Sequence, residues 1–264
     1  MRMDIDNYTK RAGRVELDGI DFDDFRSQPL DSATLRCLRY MHDVEHHTVC
    51  YLRDLLVTSA HRDPEVTSFL TMWCFEEYWH GDAIGQVLAA HDEPAGPARI
   101  ASVRSTLRWS DRLAPTLHSL GSWLAGASYG AVHMTWGAVN EWTTQAGYAR
   151  LAARSGHPTL AELLRRIMRQ EGRHIDFYAS QAASRLGDDH RAQRLTRFAL
   201  RKLWKPVGSD VMPPAEVRFL VIHLFGDDTG LDAAERVDRN VDRLPGLGGL
   251  HLVRGAAARY DLAA

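Results

Sequence analysis

The chain has 264 residues, 45% of them hydrophobic and 25% charged, with a net charge of −2. That length suffices to bury roughly three quarters of the unfolded surface, and the near-neutral charge argues against general attraction to nucleic acid or an anionic membrane. Three cysteines, Cys37, Cys50 and Cys74, form no CxxC pair, which points to reduced thiols in a cytoplasmic protein rather than to disulfides or a sulfur-ligated metal.

The start, MRMDIDNYTK, lacks the apolar core of a signal peptide. Residues 1–30 are rich in Asp and aperiodic, which predicts an arm lying on the surface. Asp31 then reads as the N-cap of a helix whose apolar stripe is Leu35, Leu38, Met41, Leu52 and Leu55. Glu45 falls on that stripe. His46 and His47 point roughly 100° and 200° away from it, and Asp43 and Asp54 read as solvated positions. A second helix opens at Asp63-Pro64, with the stripe Val66, Phe69, Leu70, Trp73, Ile84 and Leu88. Glu77 and His80 interrupt that stripe, and Glu76 is rotated off it. Residues 91–99, HDEPAGPAR, read as a loop.

From Leu113 to Asn140 no Asp, Glu, Lys or Arg occurs. Pro115, the glycines and two histidines make a buried central helix the expectation, not a membrane span. It leads into a third helix that ends at Gly156. Glu141 is the only acidic residue between Asp111 and Glu162. Thr159 with Glu162 predicts a capping box opening a fourth helix, whose inner face is Leu160, Leu164, Ile167, Glu171, His174 and Tyr178. The stretch 190–264 reads as shorter helices packed outside.

No alternating run long enough for a sheet occurs, so the prediction is an all-α protein forming one domain over residues 1–264. Its parts would be the arm 1–30, a four-helix bundle over 31–188 and additional flanking helices over 189–264.

Residues three apart share a helix face, so Glu77/His80 and Glu171/His174 each offer a carboxylate beside an imidazole. Glu45 and Glu141 add one carboxylate from each remaining helix. One such group on an apolar face is usually a satisfied core residue. Four carboxylates in one core are different, because each uncompensated buried ion costs several kcal/mol. Two divalent cations balance them, and two Glu plus two Glu-x-x-His is the donor set of ferritin-like di-iron and di-manganese proteins. Mixed oxygen and nitrogen donors suit iron or manganese better than zinc.

The stretch EEYWHGD (76–82) resembles the EENRHGD motif of the soluble acyl-carrier-protein desaturases. The segment YARLAARSGHPTLAELLRRIMRQEGRH is similar to that family's fourth-helix region, which ends in DEKRH. Clear similarity covers roughly residues 40–180. The resemblance implies a ferritin-like bundle with metal ligands Glu45, Glu77, His80, Glu141, Glu171 and His174, of which Glu77 and Glu171 would bridge the ions. It also implies that Thr144 lies near bound oxygen and that Arg173 matches the arginine of DEKRH. The cofactor would be two iron ions, with manganese possible at one position. The partners would be an acyl carrier protein substrate and a ferredoxin-like electron donor, with the chain acting as a homodimer.

Three departures stand out. Gln170 replaces an Asp that orients a ligating histidine, and Trp79 replaces the arginine of EENRH. The interval from Glu141 to YAR is three residues shorter than in plant-type members, where counting back from Ala149-Arg150 would reach Ala138.

The implied activity is dioxygen-dependent insertion of a cis double bond into a carrier-bound acyl chain. An oxygenase of the same fold acting on another substrate, by N-oxygenation or another oxidation in secondary metabolism, is the alternative. Iron storage fits less well, since storage proteins are shorter chains that build cages and rubrerythrin-like proteins carry CxxC sites. Gly121, Gly126, Gly130 and Ala131 would either line an acyl channel or allow close helix packing. Arg191, Arg194, Arg197, Arg201 and Lys202 form either a dock for an acidic partner or a solvated face.

Overall fold

The computed structural model describes residues 3–106 and 109–262, and every regular element among them is helical. The all-α expectation holds. In chain order the helices are α1 (Ile5–Arg11), α2 (Asp24–Ser27), α3 (Ser32–Glu45), α4 (Thr48–Leu56), α5 (Pro64–Ala89), α6 (Gly96–Ser105), α7 (Trp109–Ala125), α8 (Ser128–Ser155), α9 (Pro158–Leu186), α10 (His190–Leu203), α11 (Pro214–Phe225), α12 (Asp228–Asp242) and α13 (Leu252–Leu262).

Local chemistry sets several of the boundaries. Asp31 accepts from the Ala33 and Thr34 amides at 2.8 and 2.9 Å and opens α3. Asp63 caps α5 in the same way, with Pro64 in the first turn, where its missing N–H costs nothing. Gly156 ends α8 at φ 62°, a left-handed conformation that favours glycine.

The four helices that bear the predicted ligands pack as a ring, α3 on α5, α5 on α9, α9 on α8 and α8 on α3. Inside it, Phe69 stacks on Phe177 with centroids 3.8 Å apart. Helix α10 covers α8 and α9, α12 covers α8, and α11 lies on α3 and α8, as expected for the C-terminal helices.

Several expectations fail, each for a tertiary reason. The first helix breaks at His46–His47 into α3 and α4, and the His46 ring lies 2.8 Å from where a Cβ of Gly81 would be. Part of the expected 91–99 loop already belongs to α6. The uncharged segment is two helices, divided at Gly126 with φ 60°. Helix α7 is not buried: Leu117, Leu120 and Leu124 are exposed, and Trp123 is 78% exposed. The N-terminal arm does not simply lie on the surface either, because Tyr8, Val15 and Phe25 are buried and Phe25 stacks on His157. No Thr159–Glu162 box forms. His157 Nδ1 accepts from the Leu160 amide, while the Thr159 hydroxyl donates to Asp24 and Glu162 pairs with Arg165 and Arg166. Asp43 and Asp54 are buried rather than solvated, held by Arg99 and Arg53 respectively. Among the described residues no helix is long and apolar enough to cross a membrane.

Candidate metal centre

Helix α3 delivers Glu45, α5 delivers Glu77 and His80, α8 delivers Glu141, and α9 delivers Glu171 and His174, all of them buried. They form two overlapping groups. Glu45, Glu77, His80 and Glu171 make one, and Glu77, Glu141, Glu171 and His174 the other; within each group the donor atoms lie within 4.8 Å of one another.

The sharing has a definite geometry. Glu77 Oε2 is 3.2 Å from His80 Nδ1, and its Oε1 is 3.2 Å from His174 Nδ1. Glu171 Oε2 is 3.0 Å from His174 Nδ1, and its Oε1 is 3.3 Å from His80 Nδ1. Each shared carboxylate therefore divides its two oxygens between the two histidines, whose ring centroids are 5.7 Å apart. Glu171 Oε1 is buried and makes no hydrogen bond, the His80 Nδ1 at 3.3 Å being its cationic neighbour, and it is free to serve as a metal donor.

The outer nitrogens of both rings are also engaged. His80 Nε2 meets Gln170 Oε1 at 2.9 Å, and His174 Nε2 meets Glu76 Oε2 at 2.9 Å. Glu76 further accepts from the Tyr8 hydroxyl, the Gly13 amide and Arg173. Gln170 Nε2 donates to the Gly13 and Arg14 carbonyls, and the Arg14 guanidinium lies 3.8 Å above the Trp79 ring. The arm therefore holds the groups that orient both histidines. Among the terminal carboxylates, Glu141 Oε1 accepts from Trp73 Nε1 at 2.9 Å, and Glu45 Oε1 accepts a short bond from the Tyr148 hydroxyl.

Charges follow from these contacts. Burial, and then the neighbouring Glu77 charge, pushes the Glu45 carboxyl well above its usual range. Burial, and then Glu171, does the same to Glu141. Glu77 and Glu171 also feel burial, but hydrogen bonds from Glu45 and the histidines hold Glu77 well below the carboxylate range, and the histidines hold Glu171 below it. Burial disfavours the His80 cation, yet Glu171 and Glu77 reverse this and lift it to about 9. His174 is raised still more clearly, by Glu171, Glu76 and Glu77 acting against burial. These directions favour the charged forms of Glu77, Glu171, His80 and His174 and the neutral forms of Glu45 and Glu141. Divalent ions bound there would replace the protons of these groups.

Thr144 belongs to neither group. It is half-buried one turn beyond Glu141 on the wall of a cleft, open at one side, that reaches Glu45 and Tyr148. Met41, Gly147, Trp204, Leu224 and Phe225 make the rest of that lining largely apolar, and Glu45 is its only charged residue. The expected channel residues Gly121, Gly126, Gly130 and Ala131 do not line it. Gly126 is the α7–α8 turn, and Gly121 and Gly130 face Tyr129 and Arg185. His46 and His47 are buried but stay outside both groups.

Sequence reasoning missed Tyr8, Trp73, Glu76 and Tyr148. Trp73 and Tyr148 carried a signal, being one turn before Glu77 and two turns after Glu141 on the same faces. Tyr8 carried none.

The helical ring and this cluster define an all-α protein whose buried glutamates and histidines can hold metal ions. No protein-family model matches the chain, and no curated protein matches its sequence.

Proposed function

We propose that the chain binds a pair of iron ions through Glu45, Glu77, His80, Glu141, Glu171 and His174. It would use dioxygen and a small electron donor to desaturate an acyl chain on acyl carrier protein. The observation that carries this reading is the division of Glu77 and Glu171 between the two histidines, which places both carboxylates in both donor groups. The donors fit: oxygen and imidazole ligands, no thiolate, and a buried Glu171 oxygen that makes no hydrogen bond. Manganese at one position suits the same donors.

When bound, the metal pair supplies dioxygen activation. Overall, neighbouring CH2 groups give up two hydrogens, and dioxygen, with two further electrons and two protons, leaves as two waters. The chain's own residues supply the rest. The apolar cleft holds an alkyl segment with its inner end at Glu45, and burial keeps bulk water away from the reacting carbons. The Thr144 hydroxyl is available on the cleft wall for a proton. On α10 the exposed Arg191, Arg194, Arg201 and Lys202 offer a basic strip to an acidic carrier, while Arg197 is tied to the Gly246 and Gly248 carbonyls.

A second reading, N-oxygenation or another oxidation of a different substrate, is favoured by Gln170, which presents an amide to His80 where the resembled desaturases have Asp. One assay decides between them. Iron-loaded protein with an active reductant is given stearoyl or palmitoyl carrier protein, and the acyl product is weighed. A chain lacking two hydrogens supports desaturation. Unaltered chains in the presence of bound iron support the second reading, and failure to bind iron at all removes both.

A further inference from the structure

The two ion positions are backed differently. Both imidazoles turn Nδ1 inward and Nε2 outward, so the outer partner tunes how strongly Nδ1 donates. His174 is backed by a buried carboxylate, Glu76 Oε2, at 2.9 Å. Arg173 and Gly13 engage the other oxygen of Glu76, at 2.5 and 3.2 Å, which leaves Oε2 to His174 and to Tyr8 at 2.8 Å. His80 is backed at the same distance by a neutral amide, Gln170 Oε1. That amide cannot turn its nitrogen to the ring, because Nε2 is spent on the Gly13 and Arg14 carbonyls at 3.1 and 3.3 Å. The terminal carboxylates differ less, each accepting one hydrogen bond, from Trp73 and from Tyr148.

Resting on the metal-pair reading, we propose that the positions are unequal by construction: the one built on His174 and Glu141 binds its ion more tightly and fills first, and the one built on His80 and Glu45 fills second. A carboxylate drawing on the imidazole proton makes Nδ1 the better donor, and loss of such a partner typically weakens metal affinity about 10- to 100-fold. The two dissociation constants should differ by a factor in that range. A weaker, slower-filling position is also the one at which a different divalent ion can enter, so Glu76 and Gln170 are positioning residues for metal choice.

The test uses metal-free full-length protein titrated anaerobically with Co(II), followed by calorimetry and visible absorption, and crystals given one equivalent of Co(II) for anomalous diffraction. Two binding steps about 10- to 100-fold apart are expected, with the first ion beside His174. Glu76→Gln, of equal size, should weaken the first step and leave the second. Gln170→Glu should tighten the second, and if that variant does not fold, the Glu76→Gln result and the diffraction occupancies still decide. Two equal steps, a first ion beside His80, or a first step indifferent to Glu76→Gln would overturn the proposal while leaving the metal pair standing. Fewer than two ions at saturation would remove the metal-pair reading and this proposal with it.

Discussion

Tyr148 donates its hydroxyl hydrogen to Glu45 Oε1, and the two together close the inner end of the apolar cleft. Tyr148 is fully buried and Glu45 nearly so, so no water replaces the bond when it is removed. Tyr148→Phe should therefore cost about 1–3 kcal/mol, the usual penalty for a buried acceptor left without its donor. Metal stoichiometry should stay unchanged, since Glu45 turns its other oxygen, Oε2, toward the cluster. Denaturant unfolding and metal analysis check the two halves, and unchanged stability would mean that the bond contributes nothing.

Glu171 sits at the centre of the cluster, with an oxygen toward each histidine. Glu171→Ala should lose most of its metal, whereas Asp176→Ala, one turn on and exposed, should keep it. Elemental analysis of both proteins purified without chelator gives the answer. Equal metal contents would contradict the ligand assignment.

Much of this centre was legible because helical phase is a local property. Glu77 and His80 interrupt an apolar stripe three residues apart, and Glu171 and His174 do so again, so their shared faces follow from 3.6-residue geometry alone. Asp31, Asp63-Pro64 and Gly156 marked helix ends for equally local reasons. What stayed hidden depends on contacts between distant segments. Glu76 is rotated off the stripe of Glu77, and only the packing of α9 and the arm brings His174, Arg173, Tyr8 and Gly13 to it. Likewise the apolar residues of α7 read as core, because composition alone does not reveal that Gly126 turns the chain and leaves Trp123 facing outward.

The metal-free protein should lose stability in alkali and the loaded protein should not. His80 titrates at about 9 in the fold against an ordinary 6.5, so the folded chain holds this proton more tightly than the unfolded one. Its stabilisation is complete below the ordinary value and disappears as pH rises through about 9. An ion on Nδ1 would take over the proton's role, so metal uptake should release protons and affinity should climb with pH over the same interval. Thermal melts should show the gap between loaded and metal-free protein widening from neutral pH to about 10. A constant gap would show that His80 does not exchange its proton for metal.

The basic strip on α10 should matter only for a protein-borne substrate. Reversing Arg194 and Arg201 together, both exposed, should raise KM for an acyl carrier protein and flatten its salt dependence, with kcat and metal content unchanged. A KM that does not move would remove α10 as the docking face and leave the metal centre untouched.

Gly147 is the narrowest place to test whether the cleft holds the substrate. A Cβ there would lie 3.7 Å from Leu224 Cδ1 and Met41 Cε, ordinary contact distance, so Gly147→Ala should be accepted without rearrangement. A larger side chain has to displace Leu224 and Met41 or extend into the cleft that all three residues line. Gly147→Phe should lose some stability to overpacking, and the folded, metal-bearing fraction should take shorter acyl chains in preference to longer ones, read as a fall in kcat/KM that steepens with chain length. Metal analysis guards against damage to the centre, since Gly147 is on the same helix as Glu141 but two turns away. If Gly147→Phe reduced all chain lengths equally while keeping its metal, the substrate would have to reach the centre by another route than this cleft.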